Sequence, residues 1–450
     1  MKDFFKFLFA SCLGVFLAIT AIFLVGSAMI TSSISKASTP KSPKANSVLH
    51  LTFDQAVPEK TNNVDRSGGL TGFDTKDAVG LVDLVNSLEA AKTDDKIKGV
   101  FLDLTGLGAG STTADVIRKA LIDFKESEKF IIAFGQYYTQ GTYYLASVAD
   151  RVYLHPLGAI DIRGFSREGM FYKDAVDKFG VKMQTFWAGQ FKSASEPWRR
   201  NDMSPQAKLQ AREYLSALWQ NYSTKVADAR GISVTELDRI ADNYLIRDAD
   251  DAVTYKLADV VGYRDEVIDD IRNRIGLGEK DKLQLASLKD YYKGAKPDKD
   301  YSVKDKIAVV YAEGLINIGK GGTGEIRDGK YTKIISDLRK KDDIKAIVLR
   351  VNSPGGSALA SENIWRELKL AKEDGKIVVA SMGDVAASGG YYISAPAQKI
   401  FAEKTTITGS IGVVGALPSF EEGMSEYLGI HTDTVNTGPF AAGISASVRS

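Results

Sequence analysis

Ser388 stands in Ala386-Ala387-Ser388-Gly389-Gly390, among small residues that leave its hydroxyl open to whatever approaches. Earlier in the chain, Asn352-Ser353-Pro354-Gly355-Gly356 sets two glycines where the backbone is free to present its N–H groups. A hydroxyl beside converging N–H groups is equipment for acyl transfer. Ser388 would be the nucleophile, and the N–H groups of Gly355, Gly356 and Gly389 would hold the carbonyl oxygen as it turns negative. Such a hydroxyl needs a base. His50, His155 and His431 are the three histidines, and sequence pairs none of them with an acid, so a Ser-His-Asp triad has no support. Lysine is the alternative base, provided burial lowers its pKa from about 10.4; a drop of roughly 3 units corresponds to about 4 kcal/mol. Lys192, in Phe191-Lys192-Ser193-Ala194, has Trp187, Phe191 and Trp198 nearby in sequence as apolar walls.

The elements that must carry these groups follow from hydrophobic patterning. The apolar run 346–351 reads as a buried parallel strand ending in the Pro-Gly-Gly turn. A helix follows, with Leu359, Ile364, Leu368 and Leu370 as its apolar stripe and Gly375 closing it. A second strand, 377–380, leads to Ser388. If a helix opens over 390–394, the Ser388 oxygen lies near unpaired N–H groups and the positive end of a dipole. The expectation is an α/β domain with its site where two glycine turns meet.

The pattern occurs twice. Ile97-Lys98-Gly99-Val100-Phe101-Leu102 matches Ile344-Lys345-Ala346-Ile347-Val348-Leu349, position 97 against 344, an offset of 247. Gly141-Thr142-Tyr143-Tyr144-Leu145-Ala146 matches Gly389-Gly390-Tyr391-Tyr392-Ile393-Ser394, 141 against 389, an offset of 248. Near-constant spacing over two strands and a helix marks an internal duplication. The two copies differ reciprocally: Ser388 falls on Gln140, and Lys192 falls on Phe440. One copy holds the serine and the other the lysine.

Residues 7–30 carry no charge, and at 1.5 Å per residue they span about 36 Å, enough for a bilayer core of ~30 Å. The organisation expected is a membrane anchor at 1–31, a Ser/Pro/Lys-rich tether at 32–47, a first repeat at 48–288, a charged linker at 289–306 and a second repeat at 307–450. Ser204-Pro205 opens a long helix with Leu215, Leu218, Trp219, Tyr222 and Val226 on one face, and Gly231 stops it. Gly319-Lys320-Gly321-Gly322-Thr323-Gly324 fits a dinucleotide fingerprint only weakly, since no helix clearly follows and Glu325 would face the pyrophosphate. With 58 Lys and Arg against 57 Asp and Glu, and no basic face, nucleic acid is not an expected partner. The one cysteine, Cys12, excludes an intrachain disulfide and a cysteine-ligated structural zinc.

The two copies, the apolar N-terminal run, Arg350-Val351-Asn352-Ser353-Pro354-Gly355-Gly356-Ser357, Gly383-Asp384-Val385-Ala386-Ala387-Ser388-Gly389-Gly390-Tyr391-Tyr392 and Phe191-Lys192-Ser193-Ala194 resemble the long, duplicated bacterial signal peptide peptidases, the SppA or protease IV family. The resemblance covers nearly the whole chain. It implies two tandem Clp-protease/crotonase-like domains behind a transmembrane helix, and a Ser/Lys dyad with Ser388 as nucleophile and Lys192 as general base. It further implies that Ser410, in Thr408-Gly409-Ser410-Ile411-Gly412, holds the lysine; the first copy has Ile162 there, at the offset of 248. Neither metal nor cofactor is implied. The implied substrates are cleaved signal peptides and other hydrophobic peptides. The implied assembly is a bowl-shaped homotetramer on the lipid bilayer of the cytoplasmic membrane, its body outside the cytoplasm. Two other readings stay open: a crotonase-type acyl-CoA enzyme, which would need neither Lys192 nor the anchor, and a non-catalytic membrane scaffold. The first copy continues for about 80 residues past Lys192, whereas the second ends ten residues past Phe440. The expectation is a family member that is short at its C-terminus.

Overall fold

The computed structural model describes residues 43–61, 78–278, 281–294, 302–322, 324–439 and 441, with Gly14 and Thr20. Among them no helix is long and apolar enough to cross a membrane. Apart from Gly14 and Thr20, the uncharged run 7–30 lies outside the described residues, as does Phe440.

Two parallel sheets form the frame. The strands of the first half are β1 (Ser47–Leu51), β2 (Ile97–Asp103), β3 (Phe130–Gly135), β4 (Arg151–Leu154), β5 (Lys182–Trp187), β6 (Val260–Val261) and β7 (Gln284–Ser287). All but β5 join one sheet in the order β6-β4-β3-β2-β1-β7. Successive side chains point to opposite faces of a strand, and both faces are covered here. Leu49, Leu51, Val100, Leu102, Ile131 and Ala133 pack under the helices Leu81–Thr93 and Ser111–Lys125. Phe101, Ile132, Phe134 and Tyr153 pack under Val267 and Ile271 of the helix Arg264–Arg274. The long helix Pro205–Arg230 is capped by the Ser204 hydroxyl and closed by Gly231 in a left-handed conformation, and buries Leu218, Tyr222 and Val226.

The second half repeats the arrangement. β8 (Lys306–Glu313) is followed by the short pair β9 (Ile316–Asn317) and β10 (Ile326–Arg327), then by β11 (Ile344–Ser353), β12 (Ile377–Ala387), β13 (Lys399–Phe401), β14 (Ile407–Gly409) and β15 (Val414–Ser419). Its sheet runs β13-β12-β11-β8, with β14 pairing onto the far end of β12. β2 and β11 start at 97 and 344, β3 and β12 at 130 and 377, and β4 and β13 at 151 and 399. The offsets of the sequence repeat are thus offsets of structure.

Three expectations need correction. The stretch 289–306 is not a linker from its start: Leu288–Gly294 is a helix, and its Tyr291 is buried in the first core. Leu359, placed on the apolar stripe of the helix Ala358–Glu373, is 60% exposed in the first turn, whereas Ile364 and Leu368 are buried. β12 is also longer than the apolar run 377–380. Its pairing with β11 slips between Val351↔Met382 and Ser353↔Ala386, and the bulged strand continues to Ala387.

The halves are stitched together by backbone and by charge. β15 pairs antiparallel with β5, from Val414↔Trp187 to Ser419↔Lys182. Arg350 on β11 grips Glu59 of the first half with Nε–Oε2 at 3.0 Å and Nη2–Oε1 at 2.9 Å, and Glu59 is only 3% exposed. Removing one partner of such a pair strands a buried charge, typically a loss of about 3–5 kcal/mol.

Candidate active site

β12 and β14 end side by side, with Ala387 paired to Gly409. The next residue on each strand is a serine, and the Ser388 N–H donates to the Gly409 carbonyl at 2.8 Å. Both serines are backbone outliers: Ser388 has φ +52° and Ser410 φ +49°. Non-glycine residues held at positive φ carry strain, of order 1–3 kcal/mol each, and the surrounding structure must impose it. Ser388 is also the residue from which the helix Gly389–Ser394 springs, one residue earlier than the sequence suggested, and its side chain caps no N–H there. Its hydroxyl is left for another partner.

That partner comes from the first half. Lys192 follows β5 in the loop that the β5–β15 pairing presses against 411–413, with the Ala188 N–H donating to the Val413 carbonyl at 3.0 Å. Its Nζ lies 3.2 Å from Ser388 Oγ, 2.9 Å from Ser410 Oγ and 2.5 Å from the Ser410 carbonyl oxygen. Lys192 is 6% exposed, and burial pushes its pKa below the usual lysine value of 10.5. Its surroundings differ from expectation. Trp187 and Phe191 are 46% and 44% exposed, and Trp198 stacks on Tyr172. The lysine is instead enclosed by the loop backbone of Gly189 and by Gly412, positions where an added Cβ would meet the Lys192 Cβ at 3.7 and 3.8 Å.

The glycine turn after β11 faces Ser388. A Cβ on Gly355 would fall 2.6 Å from Gly389 N and 2.8 Å from Ser388 Cβ, so only glycine allows the two turns to meet this closely. Its N–H is not available to a ligand, because it donates to Ser353 Oγ at 3.1 Å. Gly355 therefore leaves the expected donor set. The bridge from this turn to Ile316 uses the Gly355 carbonyl and the Ser357 N–H, which turns the Gly356 N–H away from Ile316. Gly356 N and the first residue of the helix, Gly389, remain as the pair able to meet an oxyanion. An added Cβ on Gly389 would lie 3.2 Å from Gly356 N.

A cavity of about 530 Å³ opens on these groups, lined by Lys192, Gly356, Ser388 and Gly389 and walled by Ala358, Ala395, Ile411, Val413 and Val414. The structure thus brings Ser388, Lys192, Ser410, Gly356 and Gly389 into one place. His50 does find an acid, Asp103, at 3.1 Å, but that pair sits on β1 and β2 of the first sheet. Sequence reading missed Ser353, whose buried hydroxyl holds Gly355 and donates to the Gly314 carbonyl at 2.7 Å. The available signal was a serine directly before Pro-Gly-Gly.

The chain matches Peptidase family S49 over residues 123–277 and 370–449, more than half its length, and Clp protease over 298–407. It belongs to peptidase family S49. Among S49-like relatives, Protease 4 of Salmonella typhi is 38% identical over 88% of this chain and 66% of its own length. The chloroplastic serine protease SPPA of Arabidopsis thaliana is 30% identical over 90% of this chain and 59% of its own length. The chain thus spans about three fifths to two thirds of these relatives. An enoyl-CoA hydratase/isomerase family protein from Silicibacter pomeroyi superposes with a TM-score of 0.29 at 14% identity, covering 53% of this chain and 82% of that one, a likeness too slight to argue from. The α/β architecture and the Clp-protease match agree with the S49 assignment.

Proposed function

We propose that the chain is a serine endopeptidase working through a Ser388/Lys192 dyad on hydrophobic peptides, cleaved signal peptides among them. The observation that carries this reading is the 3.2 Å contact between a buried lysine Nζ and the hydroxyl of a strained, glycine-flanked serine. Neutral Lys192 takes the Ser388 proton as Oγ bonds to the scissile carbonyl carbon. The oxygen, now negative, accepts from the Gly356 and Gly389 N–H groups. Lys192 then gives its proton to the departing amine as the C–N bond breaks. Water, deprotonated by the same lysine, releases the acyl group and restores the serine. Ser410 contributes a hydroxyl and a carbonyl that accept the two N–H groups of the neutral amine, which leaves its lone pair toward Ser388. An acyl-CoA enzyme would have no use for a buried lysine on that serine.

The walls of the cavity, aliphatic side chains with Tyr391 and Tyr392, favour an apolar side chain next to the scissile bond. The test is hydrolysis of an apolar peptide against a charged peptide of equal length. The apolar peptide should be cut, and Ser388→Ala should lose that activity by on the order of 10⁴-fold or more while its melting temperature holds. Equal cleavage of the apolar peptide by Ser388→Ala would remove the assignment.

The uncharged run 7–30 supports single-pass anchoring in the cytoplasmic membrane, and the large body that follows one N-terminal run is the ground for placing it on the outer side. Protease added to spheroplasts should then digest the body, and protection would reverse the topology. Self-assembly as a homotetramer is proposed from the family resemblance, and light scattering at four times the chain mass would support it.

A further inference from the structure

The dyad is built from two halves, so something must set the distance between them. Asp384 lies on β12 four residues before Ser388, within the bulge. Its carboxylate crosses to the first half and accepts from Thr113 twice, from the N–H at 2.9 Å and from the hydroxyl at 2.6 Å. Thr113 is in the first turn of the helix Ser111–Lys125, whose preceding residue Gly110 offers no side-chain cap. An added Cβ on Gly110 would strike the Asp384 carboxylate at 2.4 Å. An acceptor from the second half thus caps a helix of the first, where the first-turn N–H groups lack intrahelical partners. The next threonine contact reinforces it: Thr112 Oγ1 and Thr405 Oγ1, both buried, are 2.9 Å apart.

We propose that Asp384 is a positioning residue, which by capping the helix Ser111–Lys125 fixes β12, and Ser388 at its end, against the half that carries Lys192. The proposal rests on the Ser388/Lys192 chemistry above. A side chain with only a fold-holding role would sit anywhere on the interface. This one sits on the nucleophile's own strand, at the bulge that redirects it. Arg350 holds β12 just before the bulge, with Nη1 donating to the Met382 carbonyl at 2.8 Å and to Ser381 Oγ at 2.9 Å while its fork grips Glu59. Among the described residues, Tyr214 on the long helix feels the Asp384 charge and is raised above the usual tyrosine range by burial and by that charge, and Glu59, paired with Arg350, lies against the adjacent Gly383; Tyr214 stays neutral through the working range.

The test is steady-state hydrolysis of an apolar peptide across pH by the full chain and by Asp384→Ala, Asp384→Asn and Thr113→Val. A displacement of about 1 Å between reacting groups lowers rates on the order of a hundredfold, so Asp384→Ala should lose kcat by about 10–100-fold with KM within about twofold. The alkaline rise of its rate should move to higher pH, because a looser interface wets Lys192. Asp384→Asn, which keeps one acceptor, should lie between. Thr113→Val should lose less, and combined with Asp384→Ala should add nothing, as coupled partners do. If Asp384→Ala does not fold, Asp384→Asn and Thr113→Val decide the matter by the same readouts. Parental kcat and pH profile in those variants would overturn the proposal while leaving the dyad intact. A parent chain with no Ser388-dependent hydrolysis would instead bring down the functional reading itself.

Discussion

The turn at Gln140 and the turn at Ser388 occupy the same place in two copies of one fold, yet they do opposite things with their first side chain. In the first copy Thr139 caps the helix Gln140–Ala146 by accepting from the Thr142 N–H. Gln140 folds back on the next loop, accepting from the N–H groups of Arg163 at 2.7 Å and Gly164 at 2.8 Å and donating to the Gly164 carbonyl at 3.0 Å. Every polar atom of that amide is spent on stability. In the second copy Ser388 takes the cap position at φ +52°, and its hydroxyl meets Lys192. At the position of Ser410 the first copy buries Ile162, 2% exposed. The difference teaches that one copy spends its turn on local hydrogen bonds, while the other holds a strained serine against Lys192. The scaffold copy contributes instead through β5 and the loop that delivers Lys192.

The largest effect that would sharpen this contrast is at the lysine. Lys192→Arg should lower kcat/KM for an apolar peptide nearly as far as removal of Ser388, on the order of 10³-fold or more, because guanidinium does not give up its proton in a protein. In the parent, the rate should climb with pH as the buried lysine loses its proton and then level off. Stability carries the same signature. The folded pKa lies below the unfolded value of 10.5, so the unfolded chain binds more protons between the two and stability rises with pH across that window. Denaturant titrations of Lys192→Met should lack that rise.

A smaller loss is expected at Ser353. Ser353→Ala leaves the Gly355 N–H and the Gly314 carbonyl without their hydroxyl partner, which should lower stability by about 1–3 kcal/mol. It should also lower kcat by roughly tenfold through a loosened Gly356 donor. Chemical denaturation and steady-state kinetics on one preparation separate the two.

The smallest catalytic effect belongs to the first copy. Gln140→Ser places a serine at the homologous position, yet it should neither react with a serine-directed phosphonate nor change the hydrolytic rate, since among the described residues no lysine is bonded to that turn. It should unfold more easily by about 1–2 kcal/mol for the lost amide bonds. Labelling of residue 140 would show that the turn, and not the lysine, makes the nucleophile.

How much of this was legible in the sequence follows from what is local. The strands at 97–104 and 346–351, the helix after the Pro-Gly-Gly turn and the duplication are readable because apolar runs, glycines and a constant offset are local signals. Ser388 stands out by its small neighbours, and Lys192 by the same offset, at positions where the copies differ reciprocally. The contact between them, across 196 residues, depends on β5 pairing antiparallel with β15. Nothing in the periodicity of 182–187 names 414–419 as its partner. For the same reason, the aromatic neighbours of Lys192 in sequence are not its walls; the Gly189 and Gly412 loops pack against it instead. Ser410 was suggested by family resemblance alone, because Thr408-Gly409-Ser410 reads as an ordinary polar turn until β14 is seen beside β12.

The central claim is that a lysine of the first copy activates a serine of the second. The direct measurement is the rate at which a fluorophosphonate labels the chain as pH is raised, with the adduct located by mass spectrometry, in the parent and in Lys192→Met. The account predicts one adduct, on Ser388, forming faster as Lys192 deprotonates, and a labelling rate in Lys192→Met at least about a hundredfold lower with no such rise. Equal labelling of the two proteins, or an adduct on another serine, would contradict it.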